Sequence, residues 1–516
     1  MTQKVLFPKK ITRDELNSLV DRAADLIRTA VDYKFILVLL FMKRLNDLWK
    51  VEWKHAYERL VKEANLSDEE AREEAERDVW HTFNIPKNYL WDEVTKNLKD
   101  LPENLANAIS EIAKLNKELQ GVINRVDFLE FARNQENREL LRQLVELFNK
   151  YDLGGEDVSP DILGDAYEHI LMKFAPQKAK EGEIYTPREV VKLMVKVLDP
   201  KPDESVYDPA CGSGGMLILS HLHVAEKHGL EEATRVFLYG QEKNPEIYAI
   251  CQMNLILHDI KNAHIANGDT LEFPRFRDDG RLKQFDVVIA NIPWNQDGYG
   301  EERLKKAEFS DRFSLGFPPQ SSADWAWVQH MLASAKDHTG RVGVVVDNGC
   351  LFRGGKEKVV RSSVLDRDWV ECVILLPEKL FYNTGAPGAI LILRKNKPLE
   401  RRGKILFINA SKEFENHPEV RKLNILGDKN IERIASAYRS FKDEKGFARV
   451  VGLDEVRSND YNLNVTLYVM EEEEGEKIDI AKEWNELKRL EEEKRQVEER
   501  LEGYIKEIIS ALGGQV

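Results

Sequence analysis

Apolar positions in the first part of the chain repeat at helical spacing. Leu16, Val20, Ala23, Ile27 and Ala30 fall on one face of a helix. The run Phe35 to Met42, between Lys34 and Lys43, is continuously apolar, and it predicts a buried core helix. It is far shorter than the roughly 20 residues a membrane span needs. Asp68 to Asp78 is densely charged and favours helix, and strand-type Val-Ile-Thr runs are scarce up to Lys150. A helical domain is therefore expected over residues 1–155, ending at Gly154-Gly155.

Beyond about Asp161 the pattern changes to short apolar runs separated by helical stretches. Strands are predicted at Ser205–Tyr207, Val236–Tyr239, Ala263–Ala266, Phe285–Ala290, Gly340–Val346, Cys372–Leu376 and Ala389–Leu393. Helices are predicted at Glu189–Val197, Met216–Ala225, Pro245–His258, Ser322–Ala335 and Glu357–Val364. Such alternation predicts an α/β domain with a mostly parallel sheet, here over residues 156–470. In that architecture ligands bind at the carboxyl ends of the strands. The last segment, 471–516, carries Leu487, Leu490, Val497, Leu501, Tyr504 and Ile508 on a heptad seam, with Lys494 as its polar member. Two readings stand side by side: a helix packed on its own domain, or one that docks on a partner.

Charge narrows the picture. The net charge is −14, whereas a protein that grips DNA alone usually shows a basic balance or stripe. Contact with DNA would be local, or a partner would supply the grip. Two local stretches are basic: Arg353, Lys356, Lys358 and Arg361, and Arg394, Lys395, Lys397, Arg401, Arg402 and Lys404. Taken singly, each reads first as solvated charged surface. The four cysteines form no CxxC pair, His221 and His223 diverge on a helix, and no HExxH occurs, so no metal site is expected. Met1 to Lys10 is too polar for a signal peptide, and a cytoplasmic location is expected.

The run Asp208-Pro209-Ala210-Cys211-Gly212-Ser213-Gly214-Gly215-Met216-Leu217 follows one predicted strand and opens a helix. Its glycines permit a tight turn and close backbone approach, and the helix start offers free N–H groups. The spacing is not GxGxxG, which disfavours a nicotinamide enzyme. Glu242 and Asp269 follow the next two strands. An acid after the second strand can accept from a ribose diol, and one after the third from an adenine amino group.

These residues resemble the first motifs of amino-group DNA methyltransferases. The resemblance implies a Rossmann-like, S-adenosylmethionine-dependent methyltransferase fold. It implies that Asp208, Ala210, Gly212, Ser213 and Gly214 cradle the methionine part of the cofactor, that Glu242 holds the ribose and that Asp269 holds the adenine. Upstream, Thr186-Pro187-Arg188-Glu189 reads physically as a helix start, with Thr186 as N-cap, Pro187 in the first turn and Glu189 closing a capping box. The family motif at this place touches the carboxylate end of the cofactor, which adds Tyr185 and Thr186 to the site.

The strand ending at Ala290 runs into Asn291-Ile292-Pro293-Trp294. The family pattern here is Asn-Pro-Pro-aromatic. An exocyclic amino nitrogen is a poor nucleophile, and acceptors aimed at its hydrogens draw it toward an attacking shape. Asn291 and the Ile292 carbonyl would be those acceptors, followed by Pro293, and Trp294 would stack on a base flipped from the duplex. Ile292 keeps the carbonyl but loses the fixed φ of proline, which puts loop rigidity in question. Cytosine C5 chemistry needs a cysteine nucleophile, typically after proline, and no Pro-Cys pair occurs.

The four-residue motif also occurs in shorter enzymes that methylate glutamine amides or RNA. Over nearly its full length, however, this chain resembles the methylation subunits of type I restriction-modification systems. The later segments Gly340 to Val346, Gly354-Gly355, Phe381-Tyr382-Asn383-Thr384-Gly385 and Asn459 to Asn464 follow in that family's order. The resemblance implies N6-adenine methylation of DNA and no metal. As partners it implies DNA, a specificity subunit that reads the sequence and contacts the C-terminal helix, a restriction subunit, and two copies of this chain per complex. No membrane partner is expected, and no further DNA-reading domain is expected in this chain.

Overall fold

The apolar run Phe35–Met42 lies near the start of a long helix, Lys34–Glu63, and Ile36 to Met42 are all buried there. The computed structural model describes residues 9–10, 13–27, 32–64, 66–154, 186–382, 384–418, 420–470 and 480–511, together with 164, 166–167, 169–171 and 173–174. Helix α1 (Arg13–Ile27) turns Leu16, Val20 and Ala23 inward, as their spacing requires. α2 (Lys34–Glu63), α3 (Leu101–Leu115) and α4 (Gln135–Phe148) complete the frame of the N-terminal helical part. Its core is shared with Ala249, Ile250, Met253 and Leu257. These belong to a helix of the following α/β part, so the two parts are packed through one apolar core.

Among the described residues the main sheet of the α/β part has nine strands: β1 (Ser205–Asp208), β2 (Phe237–Glu242), β3 (Ala263–Asn267), β4 (Val287–Asn291), β5 (Arg341–Asp347), β6 (Val370–Leu375), β7 (Gly388–Leu393), β8 (Lys404–Asn409) and β9 (Ala448–Gly452). Their order across the sheet is β9-β8-β6-β7-β5-β4-β1-β2-β3. From β3 to β5 every pairing is parallel. β7 then inserts antiparallel between β5 and β6, and β9 closes the far edge antiparallel to β8. The sheet is thus mixed beyond β5: the chain returns directly from β6 into β7 without a crossover helix, and a direct return reverses direction. Strands β8 and β9 extend the seven predicted from the sequence.

Alternation along the strands divides the core in two. Val287, Ile289, Cys372, Ile374, Ile390 and Ile392 face α5 (Arg188–Leu198) and α6 (Gly215–His228). Val288, Ala290, Val373, Leu375, Ala389 and Leu391 face the opposite side, with α8 (Asp324–Ala333) and α9 (Gly355–Asp366). α7 (Pro245–Leu257) follows β2, and α10 (Asp428–Ser440) lies on the α5 side. The consequence for function is positional. Asp208, Glu242, Asp269 and Asn291 lie at or just beyond the carboxyl ends of four adjacent parallel strands.

The two basic stretches are largely neutralised inside the fold. Arg353 pairs with Asp324, Asp347 and Glu357, and buried Arg361 donates to backbone carbonyls. Lys356 reaches Glu301, and Lys358 pairs with Asp460. Arg394 and Arg401 face buried Glu371, while Lys395 and Lys397 pair with Asp337 and Asp368. Arg402 binds Asn396, and Lys404 a nearby carbonyl. Neither stretch is the free basic patch that its composition allowed.

Contacts divide the chain into Met1–Val469 and Met470–Val516. In the second unit α11 (Ile480–Ala511) leaves Leu487, Leu490, Val497, Leu501, Tyr504 and Ile508 exposed. Among the described residues no helix is long and apolar enough to cross a membrane.

Candidate active site

The loop between β1 and α6 turns on two glycines with left-handed backbone, Gly212 at φ 51° and Gly214 at φ 88°. A Cβ on Gly214 would also stand 2.9 Å from Cys251 Sγ on α7. Carboxylates and amides anchor the loop from below. Asp208 Oδ1 accepts from the Ala210 N–H at 3.0 Å. Glu242 Oε2 accepts from the Gly212 N–H at 3.1 Å, and its Oε1 from the Asn244 N–H at 2.7 Å. Asn254 Nδ2 donates to the Ser213 carbonyl at 3.0 Å. Asp208 is almost fully buried. Burial pushes its carboxyl up to about 8, against the pull of the Ala210 N–H and with a further push from the charge of Glu242.

Asp269 is held differently. Its Oδ1 accepts from the Leu271 and Glu272 N–H groups at 3.1 and 3.3 Å. Its Oδ2 accepts from the Tyr299 hydroxyl at 2.5 Å and pairs with Lys243 at 2.9 Å. Burial raises this carboxyl, but the Tyr299 and Lys243 bonds outweigh it and hold the group below the usual range. Gln241 supports the same loop, donating to the Gly268 and Phe273 carbonyls at 3.1 and 3.0 Å.

Asn291 ends β4 with both amide atoms engaged. Its Nδ2 donates to Thr186 Oγ1 at 2.8 Å, and its Oδ1 accepts from Trp294 Nε1 at 3.0 Å. This corrects the helix-start reading of Thr186. The N-cap of α5 is Pro187, no side chain caps it, and the Thr186 hydroxyl is spent on Asn291 instead. The Ile292 side chain is fully buried in the core beneath β4. Where proline would restrain the loop by its ring, isoleucine restrains it by burial. Asn295 adopts φ 51°, and its N–H donates to Asp324 Oδ1 at 2.9 Å. Burial raises Asp324 to about 6, opposed by the Asn295 N–H and by Arg353, whose Nη2 lies 2.8 Å from the carboxylate.

A small cavity of about 70 Å3 joins the two loops, lined by Thr186, Asp208, Ala210, Gly212, Ser213 and Asn291, among others. Arg188 lines it too. Glu242, Gly214 and Asp269 are not in that lining, and Tyr185 falls outside the described residues. Sequence reasoning missed Arg188, Gln241, Asn254, Tyr299 and Asp324. Gln241 had a signal, a polar residue beside Gly240 at the end of an otherwise apolar strand. Arg188 stands two residues from Thr186 in the run already singled out, whereas Asn254, Tyr299 and Asp324 are brought in only by tertiary packing.

A family model described as N-6 DNA Methylase matches residues 158–477, and one described as the HsdM N-terminal domain matches residues 16–148. The chain is 45% identical to the MjaVII methylase subunit, a type I restriction enzyme subunit of Methanocaldococcus jannaschii, over 99% of this chain and 87% of that protein. It is 30% identical to the HindI methylase subunit of Haemophilus influenzae over 79% of this chain and 91% of that one. The crystal structure of a type I restriction-modification methyltransferase subunit from Streptococcus thermophilus superposes with a TM-score of 0.77 at 28% identity, covering 89% of this chain and 100% of its own. With matches spanning both the helical part and the sheet, the chain belongs to the N-6 DNA methylase family, as an adenine-specific DNA methyltransferase subunit of a type I restriction-modification system.

Proposed function

We propose that the cavity between the glycine loop and Asn291 is where the methyl group passes from S-adenosylmethionine to adenine N6. One observation carries this reading: Asp208, Gly212 and Ser213, on the loop expected to hold the methyl donor, line the same cavity as Asn291, expected to hold its acceptor. The residues fit the cofactor by their chemistry. A buried carboxyl at Asp208 suits an ammonium group, and Gly212 and Gly215 leave open space where a side chain would stand, so a ligand can approach the loop backbone closely. When bound, S-adenosylmethionine supplies a methyl group on an electrophilic sulfonium.

The chain's own residues then bind and orient the reactants and accept hydrogen bonds from them. Asp208, with the Ala210, Gly212, Ser213 and Gly214 backbone, holds the methionine part. Tyr185 and Thr186 flank its carboxylate end, and Glu242 accepts from the ribose. Asp269 accepts from the adenine moiety by exchanging one of its present Oδ2 partners, Tyr299 or Lys243. The Asn291 oxygen and the Ile292 carbonyl accept the hydrogens of the target amino group. Pro293 stiffens the turn, and Trp294 stacks on the extruded base.

We assign residues 1–155 to a helical domain, 156–470 to the catalytic domain and 471–516 to partner docking. A specificity subunit reads the DNA site and contacts the exposed seam of α11. Two copies of this chain form the complex in the cytoplasm, and a restriction subunit joins it. The acidic balance and the internally paired basic stretches support this division of labour, because they leave much of the grip on DNA to a partner.

The test is to map N6-methyladenine in host DNA in the wild type and an Asn291→Ala strain. Methylation should vanish from one recurring sequence. Unchanged methylation would overturn the assignment of Asn291.

A further inference from the structure

A carboxamide has nearly the same outline in both flipped orientations, yet only one turns an oxygen toward a given partner. The two partners of Asn291 differ in kind. The Thr186 hydroxyl, 2.8 Å from Nδ2, can donate or accept, so it satisfies the amide either way round. The Trp294 indole N–H, 3.0 Å from Oδ1, can only donate. A flipped Asn291 would set its NH2 against the indole N–H, donor facing donor. Of the two, Trp294 alone distinguishes the orientations.

The indole is itself held for this role. It meets Phe381 edge-on, with ring centroids 4.8 Å apart and planes at 66°. Its six-membered ring lies over Gly388, the first residue of β7, where an added Cβ would stand 3.0 Å from Cη2. A side chain at position 388 would push the ring out of line. Directly after the tryptophan, Asn295 ties the loop to Asp324.

We propose that Trp294 is the positioning residue of the acceptor: its indole N–H fixes the Asn291 carboxamide so that the oxygen, not the NH2, serves the target adenine. The oxygen has two lone pairs, so the indole takes one and leaves one for an amino hydrogen. Phenylalanine would keep a stacking face but abolish this selection. The inference rests on Asn291 being the amino-group acceptor, and the test separates the two claims.

Single-turnover methyl transfer is measured at saturating S-adenosylmethionine with the assembled complex, including its specificity subunit, on duplex DNA carrying the sequence methylated in the host. Base extrusion is followed separately by the fluorescence of 2-aminopurine in place of the target adenine. Trp294→Phe should slow transfer about fivefold, the scale of one lost hydrogen bond, with the extrusion signal unchanged. In an Asn291→Asp background a carboxylate oxygen faces the substrate in either orientation, so Trp294→Phe should cost less than about twofold there. Equal losses in both backgrounds, or an extrusion signal that falls in step with the rate, would make Trp294 a stacking or packing residue only and overturn the proposal. Extrusion needs no turnover, so that arm decides even if Asn291→Asp is inert. Transfer that survives Asn291→Ala would instead defeat the acceptor assignment itself.

Discussion

Asp208 shows how a single residue's surroundings become a measurable property. Its carboxyl sits near 8 because burial disfavours the charged form. An incoming ammonium group favours the charged form, so its binding pulls the folded pKa down and expels a proton. The sign follows: affinity for S-adenosylmethionine weakens as pH falls below about 8, since the carboxyl must first be deprotonated. Between pH 6 and 7 the cofactor's own amino group stays charged, and affinity should rise about tenfold. Calorimetry in two buffers of different ionisation enthalpy should show the released proton, and Asp208→Asn should bind weakly with a flat profile. Equal wild-type affinity at both pH values would remove Asp208 from the ammonium site. The residue's identity was legible from its place after a strand and before the glycines; its charge state was not, because burial depends on what packs around β1.

At the scale of elements, the catalytic turn is held from both sides. β4 and the buried Ile292 side chain fix it from the sheet, and α8 fixes it through Asp324. Asp324 is in turn gripped by Arg353, which also binds Asp347 at the end of β5 and Glu357 on α9. Asp324→Ala would leave the Asn295 N–H without its acceptor and Arg353 with two carboxylates instead of three. The expected cost is about 2 kcal/mol of stability by denaturant titration, with a lower transfer rate. A stable variant of wild-type rate would show the clamp to be idle. Strand periodicity announced β4, and the Asn-Ile-Pro-Trp run announced the turn. Nothing near residue 291 announced Asp324 or Arg353, and the run containing Arg353 read as surface charge. Glu357 lies four residues on, but Asp324 and Asp347 come from two other elements, so no local pattern encodes the full set.

For the whole molecule, α11 and the rest of the chain form separate units, and the seam on α11 is exposed. Deleting residues 471–516 should leave the thermal midpoint of Met1–Val469 nearly unchanged while abolishing co-purification with the specificity subunit. Retained co-purification would place the docking surface elsewhere.

Residue spacing along the chain specified the alternation of strands and helices, the glycine loop, the acids at successive strand ends and the Asn-Ile-Pro-Trp turn. These are short-range features, written in spacing and in residues with special backbone or capping chemistry. Even there it misassigned Thr186, because a helix cap and a tertiary hydrogen bond ask for the same hydroxyl. Folding then gave the hydroxyl to Asn291, brought Tyr299 and Lys243 to Asp269 and paired the basic stretches internally. Most of those contacts join groups distant in the chain, and packing settles which polar groups meet.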